Sequence, residues 1–99
     1  ARLAVELLEL SLLPGYVRLS DAHAAGVTEH LIVISGEADV LIDGVWHSLG
    51  EGEAVRFAAD RPHGYRNLHE RIAVCHNLIH YPPGASGRTQ HADPDNIAG

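Results

Sequence analysis

The sequence predicts an all-β fold, and two features of the chain indicate it. Turn-forming residues recur at short intervals, as at Pro14-Gly15 and Asp43-Gly44. The segments between these turns are short and rich in β-branched residues, which is typical of strands that pair in a sandwich or a small barrel. Because the chain has 99 residues, the strands are expected to form a single domain.

The predicted strands follow one another from the first apolar segment to the last. LAVELLELSLL, residues 3–13, would also suit an amphipathic helix, but it lacks a convincing cap and runs into a turn, so we interpret it as a strand. ADVLIDGVWH, residues 38–47, is the clearest hairpin, since Asp43-Gly44 separates two apolar runs. The other predicted strands are LIVIS at 31–35, AVRFA at 54–58 and IAVCHNLIHY at 72–81.

The C-terminal segment differs in composition from the rest of the chain. Residues 83–99, PGASGRTQHADPDNIAG, are small, polar and rich in residues that break regular structure. Such a segment has almost nothing to bury, so a flexible polar tail is predicted. The β-barrel itself is predicted over residues 1–82.

The bulk composition excludes several classes of function. The net charge is −6 and only seven Lys and Arg residues are spread along the chain, so a surface for DNA or RNA is not expected. No apolar run approaches membrane-spanning length. Cys75 is the single cysteine and no signal sequence opens the chain, so we expect a reducing, cytoplasmic environment and no contact with a membrane.

The stretch TEHLIVISGE combines a carboxylate with an apolar strand. Alternation places Glu29 on the same face as Val33, while Ile32 and Ile34 share the other face. Both faces are largely apolar, so the strand must be covered twice, by the barrel interior and by the N-terminal strands or a second subunit. A homodimer is therefore expected. Glu29 itself would be buried, and a buried ionised carboxylate needs a cation, a proton or several hydrogen-bond donors.

Three side chains on separate predicted segments could meet around this carboxylate, namely those of His23, Glu29 and His63. Two imidazoles and one carboxylate form a ligand set suited to Fe(II), Mn(II), Ni(II) or Zn(II) with positions left open. In the alternative, Glu29 and His63 form a charged hydrogen-bonded pair that organises the cavity, with His23 at its mouth.

The spacing of these residues resembles the two short motifs of the cupin superfamily. The first cupin motif runs G(X)5HXH(X)3,4E(X)6G, and HAAGVTEHLIVISG supplies His23, Glu29 and Gly36. The second runs G(X)5PXG(X)2H(X)3N, and GEAVRFAADRPHGYRN supplies His63 and Asn67 in the corresponding places. The resemblance covers about residues 3–82 and implies a jelly-roll barrel, also called a double-stranded β-helix. It also implies that His23, Glu29 and His63 occupy retained metal-ligand positions.

The chain departs from these motifs at two places. Ala25 stands where the second histidine of the HXH pair would be, so one of the four ligands of a cupin metalloenzyme is absent. The PXG element is also lost, because the residues leading to His63 read ADRPH. A bound transition metal and a metal-free site both remain open at this point.

A longer pattern, which includes "AH..G..EH..V..GE..V..DG" and "RF.AD.PH.Y.N", resembles the C-terminal sensor cupin of bacterial XRE-type helix-turn-helix regulators. The resemblance implies that the domain binds a small polar effector, such as an amino acid or a related metabolite. DNA would then be contacted only through an N-terminal domain that lies outside this chain. The first residue is Ala1 rather than methionine, which fits a chain reduced to the second domain.

Five further residues are predicted to line a ligand cavity. Tyr65 and Asn67 follow His63 on its side of an extended segment, although Tyr65 would also suit the core and Asn67 a turn. His76 could replace the missing fourth ligand if it points inward, but alternation alone leaves the phase of its strand open, and a place on the sheet surface is the other interpretation. Val33 and Phe57 complete the set, with Phe57 also suited to the core.

The primary hypothesis is thus an effector-sensing domain of a transcription regulator, and it has two rivals. A stand-alone metal-dependent cupin enzyme, such as a dioxygenase or an isomerase, would use Tyr65 or His76 as general acid or base. A purely structural dimerisation module would keep the barrel without using its cavity. The sequence favours the sensor over the enzyme, and the enzyme hypothesis stays open.

Overall fold

The computed structural model describes residues 4–83, which form two four-stranded antiparallel sheets packed face to face. The first sheet has the order β1-β8-β3-β6 and the second the order β2-β7-β4-β5. The predicted all-β fold is confirmed. The strands are β1 (Ala4–Leu12), β2 (Val17–Ser20), β3 (Thr28–Ser35), β4 (Ala38–Ile42), β5 (Val45–Leu49), β6 (Ala54–Ala58), β7 (His63–Arg66) and β8 (Ala73–Tyr81).

The structure confirms two predicted elements directly, the first strand and the hairpin. The first apolar segment is strand β1, which pairs with β8 along its whole length, so the helix interpretation is wrong. The predicted hairpin is also present, because Ile42 faces Val45 across a two-residue turn. Asp43 and Gly44 both have positive φ angles, 49° and 79°, as a tight hairpin turn requires.

Other expectations fall outside the part of the chain that the structure describes. The predicted tail over residues 83–99 lies beyond it, except for Pro83. Within residues 4–83 there is no helix with the length and apolar character needed to span a membrane.

The core lies between the two sheets and is built from alternate residues of the facing strands. In β8 the buried positions are Ala73, Cys75, Asn77, Ile79 and Tyr81, while the residues between them are only half-buried. This alternation fixes the phase of β8, which the sequence alone left open. The inner faces of the two sheets therefore meet around Tyr81, Ile79 and the side chains that β3 and β7 contribute.

Gly36 ends β3 at a place where no other residue fits. Its φ is +80°, and a Cβ added there would lie 2.6 Å from the carbonyl oxygen of Ile72. The glycine thus combines a left-handed backbone with a close approach to the start of β8. This steric requirement gives a physical reason for a glycine seven positions after Glu29.

The outer face of the first sheet carries exposed apolar side chains that lack a cover among residues 4–83. Strand β1 lies in the same sheet as β3, with β8 between them, so β1 does not form the second layer considered for β3. Val5, Leu7 and Ile34 remain exposed at 45%, 64% and 47%. A cover for these side chains would come from outside residues 4–83, and the predicted homodimer stays a prediction.

Candidate functional site

The side chains of His23, Glu29 and His63 converge inside the barrel, as the sequence predicted. Glu29 Oε2 lies 3.0 Å from His23 Nε2 and 3.3 Å from His63 Nε2. One ligand atom from each of the three side chains lies within 4.8 Å of the others. We call these three residues the two-histidine cluster.

Each member of the cluster is placed by a different part of the fold. Glu29 is the second residue of β3 and points to the inner face, and His63 is the first residue of β7. His23 lies in the loop between β2 and β3, where its backbone N–H donates to the backbone carbonyl of Ala59 at 2.8 Å. The N–H of Ala59 in turn donates to the carbonyl of Val27 at 2.9 Å, so the loop is fastened to the end of β6.

His63 has a defined orientation because its second ring nitrogen is also engaged. Nδ1 lies 2.9 Å from the carbonyl oxygen of Arg61, which can only accept, so Nδ1 carries a hydrogen. Nε2 therefore faces Glu29 either with a second hydrogen, as an imidazolium, or with a lone pair. A lone pair beside a carboxylate oxygen is repulsive unless a cation lies between them.

Tyr65 holds the other oxygen of the carboxylate. Its hydroxyl donates to Glu29 Oε1, and the Asn77 side-chain amide donates to the Tyr65 oxygen at 3.5 Å. Burial and the charge of Glu29 hold the pKa of Tyr65 well above its usual value. Tyr65 therefore stays a neutral phenol and a hydrogen-bond donor near neutral pH.

Glu29 is ionised although it is fully buried. Burial is the largest influence and by itself would raise its pKa, but hydrogen bonds to His23 and His63, the charge of His63 and the Tyr65 hydroxyl together lower the pKa to about 2. A carboxylate buried in this way is stable only because several donors surround it. The cluster is thus a buried carboxylate held by two imidazoles and a phenol.

Comparison with known proteins places this barrel in a family. The model of the family described as "Cupin domain" matches residues 8–79. The chain belongs to the cupin family. The expected resemblance to the cupins of XRE-type regulators is confirmed by the relatives that follow.

Three relatives of this cupin are transcription regulators or parts of them. Over 81 residues it is 44% identical to the HTH-type transcriptional regulator SutR of Escherichia coli (strain K12), which covers 82% of this chain and 46% of SutR. The chain therefore spans about half the length of that curated relative. The crystal structure of the Cupin_2 domain of an XRE family transcriptional regulator from Enterobacter cloacae is 42% identical, with a TM-score of 0.74, and covers 81% of this chain and 97% of that one. An HTH_3 family transcriptional regulator from Vibrio cholerae is 41% identical, with a TM-score of 0.75, over 79% of this chain and 43% of that one.

Two residues predicted to line the cupin cavity do not do so. His76 points to the outer face of the first sheet, where its Nε2 lies 3.1 Å from Glu9 Oε1, so the sheet-surface interpretation is correct and His76 does not line the cavity. Asn67 is buried, but it donates to the carbonyls of Leu12 and Arg71 at 2.9 and 2.7 Å, and its oxygen accepts from the N–H of His69 at 2.8 Å. Asn67 therefore fastens the turn after β7.

Val33 and Phe57 belong to the core of the cupin barrel. The Phe57 ring packs beside the His63 ring with 5.6 Å between centroids, so it supports a member of the cluster. Val33 lies four residues after Glu29 on the same strand, roughly 13 Å away at the rise of a β-strand. Its predicted contact with a ligand stays a prediction.

Sequence reasoning missed three polar residues near the cluster. Arg18 and Ser20 of β2 lie opposite Tyr65 and His63 of β7, and Asn77 contacts Tyr65 from β8. Arg18 Nε, Ser20 Oγ and Asn77 Oδ1 are each buried without a hydrogen-bond partner among the described residues. Alternation in the short segment VRLS could have placed Arg18 and Ser20 on the same face of the strand. Nothing in that segment showed whether this face points into the barrel.

Proposed function

We propose that this cupin is the effector-binding domain of a bacterial transcription regulator whose DNA-binding domain lies in another part of a longer protein. The observation that carries the proposal is the fully buried Glu29 carboxylate, which two imidazoles and a phenol surround inside the barrel. A barrel with only a structural role would be more stable with an apolar filling, since buried charge is costly. The effector would be a small polar molecule, such as an amino acid or a related metabolite.

The two-histidine cluster would bind one divalent transition metal, with Zn, Fe, Mn and Ni as candidates. Two imidazole nitrogens and one carboxylate oxygen suit these ions, and the cluster brings them within 4.8 Å. The hydrogen bond from His63 Nδ1 to the Arg61 carbonyl fixes the ring with Nε2 facing inward, as is usual for ligating histidines. A bound metal would supply a Lewis-acidic cation that anchors an oxygen atom of a ligand.

The residues of the chain itself have separate tasks in this account. His23, Glu29 and His63 would hold the metal, and Tyr65 would orient Glu29 by occupying its other oxygen. The position of the absent fourth ligand is occupied in the sequence by Ala25, whose side chain is exposed in the loop. The metal would then keep positions for an external ligand.

The enzyme hypothesis has less support, because both residues considered for acid and base roles are placed unfavourably. His76 lies on the outer face beside Glu9. Tyr65 is engaged with Glu29, and its raised pKa makes proton release at neutral pH difficult. Acid–base catalysis works best with a pKa near the working pH.

Regulation would need two states with different affinities for the effector, because a ligand indifferent to state shifts no equilibrium. A homodimer through the outer face of the first sheet, where Val5, Leu7 and Ile34 are exposed, would give the effector a subunit arrangement to act on. The effector would then bias the relative position of two DNA-binding domains outside this chain.

The test is a binding screen of the 99-residue chain with amino acids, their amides and the corresponding amines, read by thermal shift and calorimetry. A saturable ligand that is recovered unchanged, and that binds at least tenfold more weakly to Glu29→Gln, would support a sensor. Glu37→Gln is the matched control, because Glu37 has a 60% exposed side chain. Consumption of the ligand would favour the enzyme, and no difference between wild type and Glu29→Gln would contradict the proposed site.

A further inference from the structure

A cavity of about 170 Å³ lies beside Tyr65, on the side facing β1 and β2. These two strands are edge strands of the two sheets. The lining residues are Glu9, Leu10, Ser11, Leu12, Tyr16, Arg18 and Tyr65. Tyr65 therefore borders this cavity and also binds Glu29 through its hydroxyl, which connects the cavity to the two-histidine cluster.

Arg18 is the cationic residue of this lining, and its charge is not neutralised by an ion pair among residues 4–83. Its Nε is buried and lacks a hydrogen-bond partner. Other arginines of the barrel differ, because Arg66 lies 2.8 Å from Asp39 and Arg61 lies 2.9 Å from Asp43. A buried guanidinium nitrogen without an acceptor is unfavourable, and an acceptor in the cavity would remove that cost.

Glu9, the acidic residue of the lining, does not provide the acceptor for Arg18. The Glu9 carboxylate lies 3.1 Å from His76 Nε2 on the outer face of the first sheet, which draws it away from the interior. The carboxylate of Glu29 is likewise engaged by Tyr65, His23 and His63. Arg18 thus presents positive charge to a cavity whose nearest acids already have partners.

We propose that this cavity is an anion subsite in which Arg18 binds the carboxylate of a small organic acid. The proposal rests on the proposed effector-binding function and specifies the class of effector. A guanidinium offers parallel N–H donors that match the two oxygens of a carboxylate. Leu10 and Leu12 provide apolar walls for a short carbon chain, and the volume limits the ligand to a few heavy atoms.

The neighbouring polar atoms agree with an organic acid that reaches the region of Tyr65. Arg18 lies directly opposite Tyr65 in the pairing of β2 with β7. A carboxylate held by Arg18 would place the body of the ligand against the Tyr65 ring, one hydrogen bond from Glu29. Binding in this cavity would therefore be felt at the cluster through Tyr65.

The experiment is a titration of the 99-residue chain with propionate, propionamide and propylamine, together with alanine and alaninamide. The Arg18 Nε–H signal and the backbone amide signals are followed by nuclear magnetic resonance. We expect propionate or alanine to shift the Arg18 signal saturably, and the matching amide to bind at least tenfold more weakly. Arg18→Gln should lower the affinity for the carboxylate at least tenfold, and Arg18→Lys should lower it by a smaller factor because charge remains.

Arg56→Gln is the matched control, since Arg56 is exposed on the outer face of β6 and should leave the affinity unchanged. Circular dichroism melts establish that each variant is folded. If Arg18→Gln does not fold, the affinity of Arg18→Lys for the carboxylate provides the test. Equal binding of amide and carboxylate, or full affinity in a folded Arg18 variant, would overturn the anion subsite. That result would leave the effector function standing, provided that a ligand still binds and depends on Glu29. Absence of any carboxylate binding to the wild type would also overturn the subsite.

Discussion

The hydroxyl of Tyr65 in β7 donates to Glu29 Oε1 in β3, so this hydrogen bond joins the two sheets inside the barrel. Glu29 uses its other oxygen for His23 and His63. The two halves of one carboxylate therefore have separate tasks. Oε1 accepts from the Tyr65 phenol, and Oε2 lies between the two imidazoles.

Removal of the Tyr65 hydroxyl should destabilise the domain. In Tyr65→Phe, Glu29 Oε1 loses its donor and the Asn77 amide loses its acceptor, and both stay buried. We expect a loss of about 1–3 kcal/mol in the free energy of unfolding, measured by urea denaturation. Tyr16→Phe is the control, because Tyr16 is partly exposed. An unchanged urea midpoint in Tyr65→Phe would show that the hydrogen bond contributes nothing.

Gly36 and Gly52 offer a matched pair of left-handed glycines. Their φ angles are +80° and +81°, but a Cβ on Gly36 would lie 2.6 Å from the Ile72 carbonyl, whereas a Cβ on Gly52 would meet nothing within 4 Å. Gly52→Ala should cost about 1 kcal/mol from backbone strain, and Gly36→Ala clearly more. The comparison is made by thermal and urea unfolding. Equal losses in the free energy of unfolding would mean that β8 moves away from the new Cβ of Gly36→Ala without further destabilising the domain.

The sequence predicted the cluster because its members are separated by fixed motif spacings around one inward-facing carboxylate. It failed at His76 and Asn77, since both residues are polar and neighbouring, and only the register of β8 against β1 and β3 decides which is inside. It missed Arg18 because β2 has four residues, too few for alternation to reveal a face. The role of Asn67 depended on three backbone partners, one of which, Leu12, lies 55 residues away in the sequence, and no local pattern shows that contact.

Cys75 should be unreactive in the folded domain. It is fully buried, and burial raises its pKa from 9.0 to about 11, so the nucleophilic thiolate is scarce below that pH. The labelling rate with a thiol-specific disulfide reagent at pH 8 should be very low in buffer and high in urea. The folded state should also lose stability as the pH rises from about 9 to 11, because only the unfolded thiol ionises in that range. Rapid labelling of the folded chain at pH 8 would contradict this burial.

The outer face of the first sheet, where Val5, Leu7 and Ile34 are exposed, should mediate a homodimer. Sedimentation at micromolar concentration is expected to show dimers for the wild type and monomers for Leu7→Glu, because a charge at a 64% exposed position costs nothing in the monomer and opposes burial in an interface. Leu19→Glu is the control, since Leu19 is 69% exposed on the outer face of the other sheet. A monomeric wild type, or a dimer that Leu7→Glu leaves intact, would remove this interface from the account.

The most direct test of the central claim, that a cation is bound between Glu29 and the two imidazoles, is the metal content of the purified chain. The chain is exposed to Zn, Mn, Fe and Ni salts after dialysis against a chelator, and bound metal is counted by plasma mass spectrometry. We predict one transition metal per chain, lost in Glu29→Gln and His63→Ala and retained in His76→Ala, whose histidine faces outward. A wild type without metal, or a metal count that Glu29→Gln leaves unchanged, would contradict the account.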